Sequence, residues 1–61
     1  MKMNKENLTK ALAELDSAMK LLIAEYNAIP NENHTDVDVI VLTDVIGSVA
    51  DAQGQLKDLT K

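Results

Sequence analysis

The stretch LTKALAELDSAMKLLIAEYNAI, residues 8–29, carries the pattern that decides the fold. Its apolar residues recur in an unbroken 4-3-4-3-4-3 spacing. This spacing puts one row of side chains on a single face of an α-helix, where a second helix can pack against it. We call such a row a seam. The seam of the first helix consists of Leu8, Leu12, Leu15, Met19, Leu22, Tyr26 and Ile29.

The second half of the chain repeats the pattern with a 3-4-3-4-3 spacing. Two seams joined by one loop that contains Pro30 predict an all-α helical hairpin. We expect a helix over about residues 5–29, a loop over 30–36 and a helix over about 37–59, in a single domain over 1–61. The predicted second seam consists of Leu42, Val45, Val49, Ala52, Leu56 and Leu59.

Local signals mark the ends of both helices. Asn4 is a good N-cap for the first helix, and Pro30 forces the residue before it out of the helical region. Thr35 or Asp36 can cap the second helix, and Thr35 with Asp38 resembles a capping box. One alternative stays open, because Val37–Leu42 is rich in β-branched residues and favours a strand, which would need a partner in another chain.

Apolar residues outside the seams cluster near the loop. A helix that is apolar on most sides is normally buried, and a hairpin covers only one side of each helix. We therefore expect another chain to cover this region, either a second copy or a different protein. Gly47, Gly54 and Ala50 form a stripe of small residues that suits either close helix approach or a tolerated exposed face. The predicted interface comprises Leu21, Ile23, Val39, Ile40, Val41, Ile46, Gly47 and Ala50.

Charge is distributed unevenly along the predicted hairpin. No basic residue lies between Lys20 and Lys57, whereas that span holds six acidic residues. Most lysines gather at the opposite end once the hairpin closes. Two copies placed loop to terminus complement each other, which predicts an antiparallel two-fold dimer forming a four-helix bundle. The lysines at the open end are Lys2, Lys5, Lys10, Lys57 and Lys61.

Composition argues against several classes of function. The chain has no cysteine and one aromatic residue, Tyr26, and its net charge of −4 opposes binding to nucleic acid. No apolar run is long enough to span a membrane, and the first residues lack the apolar stretch of a signal peptide, so we expect a cytoplasmic protein. His34 lies among acidic residues, but without the ligand spacing of a metal site. We expect no metal, no cofactor and no enzyme activity.

The interpretation we favour is a small acidic protein–protein interaction module that acts as a homo-oligomeric helical bundle. One alternative is a phage- or plasmid-type inhibitor that blocks a host protein through its acidic surface. Another is capture of a small anionic ligand at subunit junctions by the lysines of the open end. In architecture the chain resembles the small RNA-binding hairpin dimers of plasmid copy-number control, but its first helix lacks the basic and aromatic surface that RNA binding requires.

Overall fold

Two long helices make up this protein. The computed structural model describes residues 2–61 and contains α1 (Lys5–Ala28), a short 3₁₀ helix (Asn31–Asn33) and α2 (Val37–Thr60). Each long helix has 24 residues, which gives a length of about 36 Å. They pack against each other as an antiparallel hairpin with extents of 48 × 17 × 14 Å. The predicted helical hairpin is confirmed; Met1, which the predicted domain included, lies outside the described residues.

The ends of α1 follow the local signals in the sequence. The Asn4 side-chain oxygen accepts a hydrogen bond from the Asn7 backbone N–H at 3.2 Å, as an N-cap should. At the other end, Ile29 has left the helix with φ −81° and ψ 128°. Pro30 causes this change, because its ring clashes with a helical residue in the preceding position.

The start of α2 differs from the predicted capping box. Asp36 occupies the N-cap position, and its side chain makes no capping hydrogen bond. With Asp36 as N-cap, the residue three positions on is Val39, so Thr35 and Asp38 are one position too early to form the box. The strand alternative for Val37–Leu42 is also wrong. These residues form the first turns of α2, and the 60 residues that the structure describes include no strand for them to pair with.

The loop is tied to the end of α1 through His34. The His34 Nε2–H donates a hydrogen bond to the Ile29 carbonyl at 3.1 Å, since a carbonyl can only accept. The other ring nitrogen then accepts from the Tyr26 hydroxyl, at a long 3.5 Å. The two rings lie 4.8 Å apart between centroids, tilted by 36°. Thus His34 is half-buried against the hairpin, whereas a histidine in a loop is ordinarily exposed to solvent.

The seam of α1 is where the sequence places it, but the seam of α2 is rotated. All seven predicted seam residues of α1 are half-buried. On α2, Val39 is 7% exposed and is the one buried side chain among residues 2–61, whereas Val45 and Leu59 are 41% and 43% exposed. The predicted second seam is therefore partly wrong. The covered row keeps an unbroken 3-4-3-4-3-4 spacing and consists of Val39, Leu42, Ile46, Val49, Gln53, Leu56 and Thr60.

The hairpin is thin, and much of its surface stays accessible. Its accessible area is 4754 Å², whereas a folded monomer of 6.7 kDa typically exposes about 3,900 Å². Its radius of gyration is 14.4 Å, against about 10.5 Å for a compact domain of this length. Across residues 2–61, neither helix combines the length and the apolar composition that a membrane span requires.

Candidate interaction surface

The rotated seam of α2 determines which residues form each side of the hairpin. A right-handed helix turns by about 100° per residue. The residue just before a seam residue therefore lies on one flank of the seam, and the residue just after it lies on the other. When two such helices run antiparallel, the same offset from the seam puts residues of both helices on the same side of the hairpin. The hairpin therefore has two flanks, each built from both helices.

We call the first side the valine flank. On α1 it contains the residues one position before Leu12, Met19 and Tyr26, and on α2 those one position before Ile46, Gln53 and Thr60. The residues one position before the remaining seam residues lie on the same side, those before Leu22, Leu42 and Val49 about 40° further round each helix. The members of the valine flank are Asn7, Ala11, Glu14, Ala18, Leu21, Glu25, Asp38, Val41, Val45, Ser48, Ala52, Gln55 and Leu59.

Apolar and small side chains make up most of the valine flank, and its large apolar members are all more than two-fifths exposed. Leu21 is 73% exposed and Val41 53% exposed. Three of the large side chains, Leu21, Val41 and Val45, lie towards the loop, and Leu59 lies at the open end. Between the midpoint and the open end the same flank has the small side chains of Ala11 and Ala52. The two sides of the midpoint thus differ in side-chain size.

We call the opposite side the glycine flank. It contains Gly47, Gly54 and Ala50 on α2 together with residues such as Asp16 and Ile23 on α1, and its members are Thr9, Asp16, Lys20, Ile23, Ile40, Thr43, Gly47, Ala50, Gly54 and Lys57. A Cβ atom added to either glycine would meet no atom within 4 Å. The glycines are therefore not needed for α1 to approach α2. This flank also holds an ion pair between Lys20 and Asp16, at 3.2 Å.

The eight residues predicted as an interface do not form one surface. Val39 and Ile46 belong to the seam between the helices, so their expected position outside the seams is wrong. Leu21 and Val41 lie on the valine flank. The other four, Ile23, Ile40, Gly47 and Ala50, lie on the glycine flank.

The sequence-based interpretation missed Val45 and Leu59 as exposed residues, because it assigned both to the seam. The signal that points to them is the pair Val45-Ile46: two adjacent apolar residues cannot both face α1 equally, so one of them must turn outwards. The structure turns Val45 outwards, onto the valine flank.

The formal charge differs between the two ends of the hairpin. The loop half, residues 17–49, carries five acidic side chains and one lysine. The rest of the chain holds five of each and is formally neutral. On the outer face of α2, Asp44, Asp51 and Asp58 recur every seven residues, which aligns them in one acidic row. Each ion pair of the described residues is well exposed to solvent.

Polar groups of residues 2–61 do not converge on an interior site. Three or more His, Cys, Asp or Glu side chains never come together there in a way that could hold a metal ion, and that part of the chain encloses no cavity. The features available for a function are the exposed flanks and the charge distribution. No protein-family model, curated protein or solved structure matches this chain.

Proposed function

We propose that this chain is a non-enzymatic protein–protein interaction module that works as a homo-oligomeric helical bundle, with the dimer as its basic unit. The observation that carries the proposal is the excess of accessible surface on the isolated hairpin. The chain exposes roughly 800 Å² more than a monomer of its mass typically does. A standard protein interface buries about 800 Å² on each partner, so one additional chain accounts for the excess.

The exposed apolar side chains supply the free energy for such an association. Complete burial of one large aliphatic side chain is worth about 1.5–3 kcal/mol. Leu21, Val41 and Val45 are 73%, 53% and 41% exposed, so between about two-fifths and three-quarters of that gain is still available to a partner. The hairpin alone has a single buried side chain among its described residues, Val39 at 7% exposed, which is a small core for a domain of this length.

Measurement of mass in solution tests this proposal. Sedimentation equilibrium across micromolar to sub-millimolar protein should give a mass that approaches a whole-number multiple of 6.7 kDa, with two as the expected multiple. Thermal stability should rise with protein concentration, because association stabilises the folded state by mass action. A mass of 6.7 kDa at the highest concentration, with a melting temperature independent of concentration, would show that the hairpin is monomeric.

A second candidate function is supported by the acidic row of Asp44, Asp51 and Asp58. A straight row of carboxylates suits a partner with a basic groove, as an inhibitor of a phage or plasmid type would need. The three positions face away from α1 and stay available when a second copy covers a flank of the hairpin. Binding to such a partner should weaken steeply with added salt, since the charges are exposed to solvent. Reversing one charge with Asp51→Lys should weaken the binding, whereas Ser17→Lys, on the outer face of α1, should not.

A further inference from the structure

We propose that a second copy of this chain covers the valine flank, antiparallel to the first and related to it by a two-fold axis. In this arrangement α1 packs on α1 of the partner subunit, and α2 packs on α2 of the partner subunit. The inference rests on the proposed homo-oligomer and specifies which surface of each copy forms it. The glycine flank and the outer acidic row then remain accessible on the completed four-helix bundle.

The choice of flank follows from what each side would bury. Near its middle the valine flank offers mainly apolar and small side chains, with Glu14 as the charged one, and none of its members is a lysine. Covering the glycine flank would instead bury the Lys20–Asp16 ion pair, whose desolvation is costly. It would also cover Lys57, which lies on the same side. A second copy therefore gains more from the valine flank.

The antiparallel orientation follows from side-chain size. The midpoint of α1 lies between Asp16 and Ser17, and that of α2 between Ser48 and Val49. A two-fold axis at this level brings Val45 opposite Ala52 of the partner subunit, and Leu21 beside Ala11 of the partner subunit. Large side chains then face small ones at both of these contacts, as well-packed cores require. A parallel dimer would instead crowd Leu21 against Val45 of the partner subunit.

Charge independently favours the same orientation. The loop half carries all of the net charge of −4, and the other half is formally neutral, with its lysines concentrated towards the open end. A parallel dimer would set two acidic halves side by side, and like charges in such positions repel. The antiparallel dimer places each acidic half beside the lysine-bearing end of its partner.

Cysteine cross-linking tests the face and the orientation, because the natural chain contains no cysteine. Ser48 is exposed on the valine flank and lies within one residue of the proposed two-fold axis. Ser48→Cys should therefore form a disulfide between subunits under mild oxidation, since the two Cα atoms come within the about 7 Å that a disulfide can bridge. The matched control is Ala50→Cys, on the same helix and at nearly the same level but on the glycine flank, and it should not cross-link.

The affinity of the dimer gives a second test with adjacent residues. Val41 and Ile40 are 53% and 51% exposed and lie on opposite flanks, so a substitution at either removes a similar amount of burial from the hairpin itself. Val41→Gln should raise the dimer dissociation constant by about tenfold or more, whereas Ile40→Gln should change it by less than about threefold. Circular dichroism should show the same helical content for both variants.

The possible results separate the two proposals. A monomeric wild-type chain overturns the proposed function itself. A dimer that cross-links through Ala50→Cys, or that is weakened by Ile40→Gln and not by Val41→Gln, keeps the oligomer and overturns the valine flank as its interface. If mixed Ala18→Cys and Ser48→Cys chains cross-link efficiently and Ser48→Cys alone does not, the dimer is parallel and the proposed orientation is wrong.

Discussion

The most direct test of the fold is to truncate Val39, the buried residue that the sequence pattern placed outside the seam. Val39→Ala removes two methyl-sized groups from a side chain that is 7% exposed. Their transfer to water costs about 0.8 kcal/mol each, or about 1.6 kcal/mol together. Incomplete relaxation around the vacated space adds to this cost, and the higher helix propensity of alanine offsets about 0.5 kcal/mol of it. We expect the free energy of unfolding to fall by about 1.5–2 kcal/mol.

The matched control is the same substitution two residues earlier in the same helix. Val37 is 74% exposed, so the burial lost in Val37→Ala is about a quarter as large and the gain in helix propensity nearly cancels it. The free energy of unfolding should stay within about 0.5 kcal/mol of the wild-type value. Because Val37 lies on the outer face of α2, this control also leaves the proposed dimer interface unchanged.

Urea denaturation followed by helical circular dichroism measures both variants. All samples need one protein concentration, since association contributes to the stability. A shift of the midpoint without a change in its slope reports stability rather than a change in the unfolded state. Equal effects of the two substitutions would refute the rotated seam, because the structure gives the two valines opposite environments.

Three further predictions concern the caps, the loop and the glycines. Asn4→Ala should lower the free energy of unfolding by about 0.5–2 kcal/mol, because it removes the acceptor of the Asn7 N–H, and Asn4→Ser should recover most of the loss in thermal melts. His34→Ala should cost about 1 kcal/mol, since the Ile29 carbonyl loses its hydrogen bond; a urea titration in which His34→Ala matches the wild type would contradict that role. Gly47→Ala should raise the free energy of unfolding by about 0.5–1 kcal/mol, because the added methyl group meets only open space; destabilisation would indicate that another chain packs closely there.

The sequence predicts the hairpin well because local chemistry specifies it. The seam of α1 has an unambiguous period, and the Asn4 cap and Pro30 mark its ends within one residue of the observed ones. Both signals act over a few residues and need no knowledge of the rest of the chain. The predicted length of α2 matches that of α1, so the two helices can pair along their whole length.

The rotation of α2 was not predictable in the same way. The run Val39-Ile40-Val41-Leu42 and the pair Val45-Ile46 allow two rows of apolar residues with helical spacing. The wholly apolar row looked preferable, yet the observed row includes Gln53 and Thr60. A two-helix seam leaves the edge of each side chain accessible, so polar ends of amphipathic side chains reach water there at little cost.

The candidate surface depends on that rotation, so the error in the seam also misplaced Val39 and Ile46. Leu21 and Val41 were identified because they lie off either row. Val45 was missed as an exposed residue because the predicted row includes it. Val39 was assigned to the interface because the predicted row leaves it out. The observed row begins at Val39, three residues after the N-cap position Asp36, and the apolar periodicity alone does not distinguish it from the predicted row.

The hydrogen bond from His34 to the end of α1 bears on the order in which the hairpin assembles. It closes a link of only five residues, and short loops cost the least entropy to close. Val39 lies five residues after His34, so the first contact between the helices forms beside the loop. The bond from the Lys5 ammonium to the Lys61 backbone oxygen spans 56 residues and belongs to the opposite end. The chain should therefore assemble from the loop towards its open end, and amide hydrogen exchange should be slowest in α2 just after its first turn and fastest near Lys5 and Lys57.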